Sequence, residues 1–471
     1  MTKEKILFLL ILFINVSMLN ATSISPDNSK IQYFGRWDHS TPTQPIGGWG
    51  SVYIKIKFTG TGISIKLNDA ANAYQYSIDG GAITVLQSGQ PSSITLASGL
   101  NNTEHSLAFY RRSGGGWGRT VFNGFEITGG DIIDPASQKC LKFEFVGNSI
   151  SVGFNNEGAP GSTNSANTEN GYMSWGPQLA RLYDGDWRVE AHSGQGMYMN
   201  LYNNPNSPDQ WTMADEFELQ YFPVWIGGDN QKPWTFNDGF QPDVFMCALG
   251  TNDFANASSY PTRAQFNGRY NEFLNLVRSK YPNAIIILFG MCLKTWDVPG
   301  SQWDIANDNL KALVEDRKTA GDNNIFFVNP RPDKTDATLW LPNQTDYVGD
   351  WTHPTVAGDA IIASKMKAFM DGNTTVKNKL DQLITGCSAT AIDESDLSKT
   401  NLLNVYPNPA YNILTIDNMD NQTTWKIYNQ IGELVQQGSG KYCNIENLSP
   451  GVYHIVAVSG EQNHISCFVK E

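Results

Sequence analysis

Ser149 is the residue of this chain best placed to act as a nucleophile. It stands at the tip of Phe145-Val146-Gly147-Asn148-Ser149-Ile150-Ser151. Leu141, Phe143, Phe145 and Val146 read as a buried strand, and Gly147 supplies the backbone freedom of a sharp turn. A serine at the carboxyl end of a strand, where strands and helices alternate, lies where open α/β sheets hold their ligands. Its hydroxyl attacks a carbonyl only when a base takes the proton, and histidine titrates in the right range. The chain has six histidines. His39 and His105 fall in an N-terminal region of strands, His454 and His464 in a C-terminal one. His353 and His192 remain. His353 stands in Asp350-Trp351-Thr352-His353-Pro354, just before a helical segment, and a carboxylate three residues upstream can fix its tautomer. His192, in Ala191-His192-Ser193-Gly194-Gln195-Gly196, has no such carboxylate nearby. The plain alternative for either is a histidine held by structural hydrogen bonds.

Acyl transfer also needs donors aimed at the developing oxyanion. Gly194 and Gly196 follow the strand-like Trp187 to Ala191 and offer uncrowded backbone N–H groups. Asn252, in Leu249-Gly250-Thr251-Asn252-Asp253, ends another buried strand and offers a side-chain amide. Taken singly, Gly-Thr-Asn-Asp is an ordinary loop. Weight comes from three strand ends that point to one chemistry. No CxxC and no close Cys/His cluster is present, so neither metal nor cofactor is expected.

The elements that must position these residues fall into three units. Residues 1–21 read as a secretory leader: Lys3 and Lys5, an apolar stretch from Ile6 to Met18, then Ala21 at the cut. No other stretch is apolar enough to span a bilayer, so no membrane span is expected in the mature protein. Residues 22–130 alternate with period two between Gly, Asn and Asp punctuation, as a β-sandwich or jelly roll does. Ile127 to Ser137 reads as a linker. Residues 140–385 alternate apolar strands (Leu141–Val146, Asp243–Leu249, Ala284–Phe289, Ile325–Val328) with helical patterns, the last from Val356 to Met370. That pattern argues a parallel sheet covered on both faces. Ser388 to Lys399 reads as a second linker, and residues 400–471 as a small β-domain.

The net charge of −13 argues against nucleic acid, whose phosphates need a basic face. Among the six cysteines, Cys247 reads as core, and Cys443 and Cys467 as a possible pair. Nine of the 13 tryptophans lie in the middle unit, most of them expected in its core. Trp351 is the expected substrate contact, and the polar, aromatic segment 203–240 a wall of the cleft.

In chain order, Gly147-Asn148-Ser149-Ile150, Ser193-Gly194-Gln195-Gly196, Gly250-Thr251-Asn252-Asp253 and Asp350-Trp351-Thr352-His353-Pro354 resemble the four blocks of SGNH (GDSL-type) hydrolases. Ile31 to Asp38 and the turn Ser77-Ile78-Asp79-Gly80-Gly81 resemble the N-terminal jelly roll of carbohydrate esterase family 2. Tyr270 to Tyr281, followed by Pro282-Asn283-Ala284, is similar to that family too. The resemblance spans residues 30–370. It implies a central SGNH-hydrolase domain with a flavodoxin-like parallel sheet. It implies a serine esterase that removes O-acetyl groups from plant cell-wall polysaccharides such as acetylxylan or acetylglucomannan. Ser149 would be nucleophile and His353 base. The oxyanion hole would be the Ser149 N–H, the Asn252 amide and Gly196, with Gly194 as second choice. Asn148 stands where the family usually has Asp; it keeps the shape and hydrogen-bonding capacity, so activity is expected to survive. Family members often work with a Ser–His dyad, whereas Asp350 here allows a triad.

Tyr406-Pro407-Asn408-Pro409 and Leu448-Ser449-Pro450-Gly451-Val452-Tyr453 resemble the type A sorting domain of the type IX secretion system of Bacteroidota. That implies a partner in the secretion machinery, removal of residues 400–471 during export, and a secreted or cell-surface protein. Two rival readings stay open: a non-catalytic carbohydrate-binding protein on a decayed esterase fold, favoured by Asn148 alone, and a short-chain esterase for non-sugar substrates, for which a greasy lid helix is missing.

Overall fold

The computed structural model describes residues 21–69, 71–159, 162–201, 203, 206, 211–222, 232–256, 258–293, 300–331, 353–391, 400–403, 405–417, 423–429, 434–459 and 462–471. The leader, apart from Ala21, lies outside them, as do Asp350, Trp351 and much of 203–240. No helix among the described residues is long and apolar enough to cross a membrane.

The N-terminal unit is one curled antiparallel sheet of ten strands. Its two longest strands, Tyr53–Asn68 and Ser93–Arg111, pair along most of their length. On its other side, Tyr53–Asn68 changes partner midway. Its first half meets Gln32–Phe34 and Ile132–Ile133, its second half Thr120–Thr128. The register shifts between Gly60 and Gly62, where Gly60 has φ 125°. Irregular pairing of this kind bends a strand, so one sheet folds over a core that includes Phe58, Ile65, Phe122 and Phe125. The segment from Ile127 read as a linker belongs partly to this sheet. Ile127 is buried in the strand Thr120–Thr128, and Ile132–Ile133 pairs with Lys57–Phe58. Its apolar residues complete the curl, which Gly129-Gly130 and Pro135 disguised.

The central sheet has five parallel strands: β1 (Lys142–Gly147), β2 (Asp186–Ala191), β3 (Val244–Ala248), β4 (Ile285–Phe289) and β5 (Ile325–Val328). Their order is β2-β1-β3-β4-β5. The helices are α1 (Ser149–Val152), α2 (Trp175–Leu182), α3 (Arg263–Lys280), α4 (Gln302–Thr319), α5 (Val356–Gly372) and α6 (Thr374–Ala391). A capping box, with Thr262 and Gln265 bonding each other's backbone, starts α3. α3 buries Phe266, Tyr270, Phe273, Leu274 and Val277, the stripe its spacing predicts. α2 buries Trp175, Leu179 and Ala180, while Leu182 is exposed in its last turn. α5 is not the last helix: α6 follows and runs into the segment read as the second linker. α6 carries Cys387, which is disulfide-bonded to Cys140 just before β1, 247 residues away. The pairing expected for Cys443 does not form. Cys443 is free and buried on a three-stranded sheet, whereas Cys467 belongs to a strand of the neighbouring five-stranded sheet.

The N-terminal and central units share one core, in which Phe34, Trp49, Tyr53 and Tyr110 join the central strands. The Tyr53 hydroxyl donates to Asp186 Oδ1 at 3.1 Å and accepts the Trp187 N–H at 3.2 Å. Deeper in, Glu144 of β1 and Glu190 of β2 face the guanidinium of Arg36. Nε lies 3.1 Å from Glu190 Oε1, and Nη2 lies 3.3 Å from Glu144 Oε1. Arg36 Nη1 also donates to the carbonyls of Phe217 (2.5 Å) and Leu219 (2.9 Å), and the Phe217 ring lies 4.6 Å from Cζ. All three side chains are fully buried. Removing one partner of such a group leaves a charge stranded in apolar surroundings.

Burial drives the Glu190 carboxyl up to about 8, the Arg36 charge opposing and the Glu144 charge assisting. An unfolded Glu titrates near 4.3, so between about 4.3 and 8 the folded chain holds a proton that the unfolded chain has lost. This group's contribution to stability therefore falls as pH rises through that window. Urea unfolding at pH 5 and pH 8 should show a smaller loss for Glu190→Gln than for the wild type. An equal loss in both would show that Glu190 does not carry the proton.

Candidate active site

β1 lies between β2 and β3, with Gly147 opposite both Ala191 and Ala248. The chain leaves these three strands side by side at the carboxyl edge, where the strand order reverses. Three of the expected blocks therefore open onto one crevice, as the switch point of a doubly wound sheet requires.

The turn that bears Ser149 is tightly built. Asn148 caps α1, its Oδ1 accepting the Ile150 N–H at 3.4 Å. Gly153, at φ 75°, ends the helix after one turn. A Cβ on Gly147 would lie 2.1 Å from Ser151 Oγ, so only glycine fits there. Ser149 is 5% exposed, and its carbonyl accepts the Phe154 N–H at 3.0 Å. Among the described residues nothing hydrogen-bonds its hydroxyl. The buried Asn148 Nδ2, where the family has a carboxylate, likewise has no hydrogen-bond partner among them.

His353 packs on the Phe154 ring, with centroids 4.6 Å apart. The segment that bears it is fastened to the loop after Ser149. Val356 N–H donates to Asn156 O at 3.1 Å, and Asn156 Nδ2 donates to Asp359 Oδ2 at 3.1 Å. Asp359 is wholly buried in α5; burial raises its carboxyl well above the usual range, against the bonds from Asn156 and the Trp175 N–H. Asp350 and Trp351 lie outside the described residues.

The loop after β2 is shaped by a carboxylate absent from the expected set. Asp253, fully buried, accepts the N–H groups of Met197 (2.9 Å), Tyr198 (2.6 Å) and Met199 (3.0 Å). Burial lifts it to about 6, and those bonds hold it back. A Cβ on Gly196 would lie 2.0 Å from Met199 O and 2.7 Å from Asp253 Oδ2. The Gly196 N–H donates to Asn200 Oδ1 at 3.0 Å, whereas the Gly194 N–H has no partner among the described residues. Asn252 Nδ2 donates one hydrogen to Gln195 O at 2.6 Å and retains a second. The readable signal for Asp253 is an acid directly after a buried strand and a predicted site residue.

His192 is a packed imidazole. It stacks on Phe222 at 3.8 Å between centroids, and burial lowers its pKa to about 4. Of the tryptophans, Trp175, Trp187, Trp234 and Trp303 are core and Trp211 is exposed.

Residues 33–136 match the model of the carbohydrate esterase 2 N-terminal domain, and residues 145–361 that of the GDSL-like lipase/acylhydrolase family. Side by side, these two matches make the chain similar to carbohydrate esterase family 2. Residues 404–471 match a secretion system C-terminal sorting domain, so this protein is exported. It is similar to the cellulase/esterase CelE of Acetivibrio thermocellus, 28% identical over 75% of this chain and 40% of the relative. The chain thus spans well under half of that relative's length. It is also similar to an acetylxylan esterase/glucomannan deacetylase of Cellvibrio japonicus, 26% identical over 53% of this chain and 70% of the relative. A solved family 2 carbohydrate esterase from Clostridium thermocellum, in complex with cellohexaose, superposes with a TM-score of 0.62 at 27% identity, covering 73% of this chain and 98% of that one.

Asp253→Ala would leave three buried N–H groups unpaired. Stability should drop by about 3 kcal/mol or more in denaturant unfolding. A drop below about 1 kcal/mol would show that the 197–199 loop holds its shape without the carboxylate.

Proposed function

We propose that this protein is a serine esterase that removes acetyl groups from plant cell-wall polysaccharides. The observation that carries the reading is the meeting of Ser149, the 194–196 loop and Asn252 at one sheet edge, with the His353 segment fastened to the same turn. In the proposed reaction Ser149 Oγ attacks the acetyl carbonyl while His353 takes its proton. The Ser149 N–H and the second hydrogen of Asn252 Nδ2 hold the oxyanion. The third donor comes from the glycine loop: Gly194 has its N–H available, and Gly196 serves if Asn200 yields. The sugar hydroxyl departs with the proton from His353. Water, deprotonated by His353, then releases acetate and restores the serine. Asp350 is assigned to orient His353, and Trp351 to contact the sugar. The Cellvibrio japonicus relative is named acetylxylan esterase/glucomannan deacetylase, which supports acetylated xylan and glucomannan as substrates.

Acetate release from both polymers tests the reading. Wild type should release acetate, and Ser149→Ala and His353→Ala should not. Asn252→Ala should lower kcat about 100- to 1000-fold. Release that persists in Ser149→Ala, or none from wild type, would sink it.

The sorting domain is assigned to the type IX machinery and to removal during export. The secreted protein should end before Asn401 by intact mass; a mature chain that retains residues 401–471 would contradict this.

A further inference from the structure

Gly-Gly-Trp-Gly occurs twice, at Gly47–Gly50 and Gly115–Gly118, both in the N-terminal unit. The copies touch: a Cβ on Gly115 would lie 2.6 Å from the Gly48 carbonyl and 2.6 Å from Phe222 Cβ. Their tryptophans differ in setting. Trp49 is fully buried, its Nε1 donating to Leu219 O at 3.3 Å. Trp117 is half-buried, and its loop packs on elements that border the candidate site. A Cβ on Gly114 would lie 2.5 Å from Val152 of α1, the helix that Ser149 opens. Gly116 is exposed, and a Cβ there would lie 2.6 Å from His192 Nε2, at the end of β2.

The loop is clamped from the catalytic side. Glu169, buried in the segment between α1 and α2, accepts the Gly114 N–H at 2.6 Å and the Trp117 indole N–H at 3.2 Å on one oxygen. Its other oxygen accepts Asn164 Nδ2 at 2.7 Å. The indole's polar edge is thereby engaged, and what the ring can still offer is apolar face. Aromatic faces stack on the apolar faces of sugar rings.

We propose that Trp117 is a sugar-binding, specificity-determining residue of the active-site cleft, supplied by the N-terminal domain and held in place by Glu169. The proposal rests on the esterase reading and assigns part of its substrate recognition to the domain that bears no catalytic group. The test compares wild type, Trp117→Ala and Trp117→Phe on an acetylated xylo-oligosaccharide and on p-nitrophenyl acetate, with thermal unfolding as the control for folding. Loss of one stacking contact should raise the oligosaccharide KM about three- to tenfold with kcat held. The preference for oligosaccharide over p-nitrophenyl acetate should fall by the same factor, and Trp117→Phe should restore most of it. An unmoved preference, or equal losses on the two esters, would overturn the proposal. If wild type cleaves neither ester, the esterase reading itself fails, and calorimetric binding of cellohexaose decides Trp117. Weaker binding by Trp117→Ala than by wild type sustains the cleft; equal binding, or none by either, overturns it.

Discussion

The architecture depends on two carboxylates that the central sheet buries. Glu144 and Glu190 sit on one face of adjoining parallel strands, where an isolated ionised carboxylate is costly. Arg36, from the N-terminal unit, meets both, and the buried Arg188 of β2 adds a second positive charge beside them. Its guanidinium also ties down the carbonyls of Phe217 and Leu219, so the segment that crosses this face is bound to the same cation. The two sheets are therefore not modules joined by a tether. They share an apolar core and a charged centre to which both contribute.

That union has a consequence for the site. Because the sheets are locked together, the glycine loops of the N-terminal sheet press against α1 and the loop after β2. Three buried carboxylates then fix backbone around the crevice. Asp253 gathers the N–H groups of residues 197–199, Asp359 holds the His353 segment against Asn156, and Glu169 holds the 114–117 loop. Each spends its carboxyl oxygens on positioning. This is the supporting shell that a preorganised site needs.

Much of the fold was legible in the chain itself. Apolar runs such as Val244–Ala248 and Ile285–Phe289 announce strands buried on both faces, and the Phe266–Val277 spacing announces α3, because local periodicity is encoded locally. The same holds for Ser149 after a glycine turn and Asn252 after a buried strand, since residue type at a strand end is visible in sequence. The resemblance to carbohydrate esterase family 2 was legible for the same reason, in short contiguous blocks.

What only the tertiary structure decided are the partners. Arg36 meets Glu144 and Glu190 across more than a hundred residues, and Cys140 meets Cys387 across 247. His192 and His353 are told apart by what they pack on, Phe222 for one and Phe154 for the other. Asp253 sits beside a residue already singled out, yet its role depends on a loop more than fifty residues upstream folding over it. Sequence by itself determined the elements and the chemical groups at their ends, because periodicity and residue type are local properties. It did not determine which groups meet, because burial and pairing arise only when distant segments exclude water together.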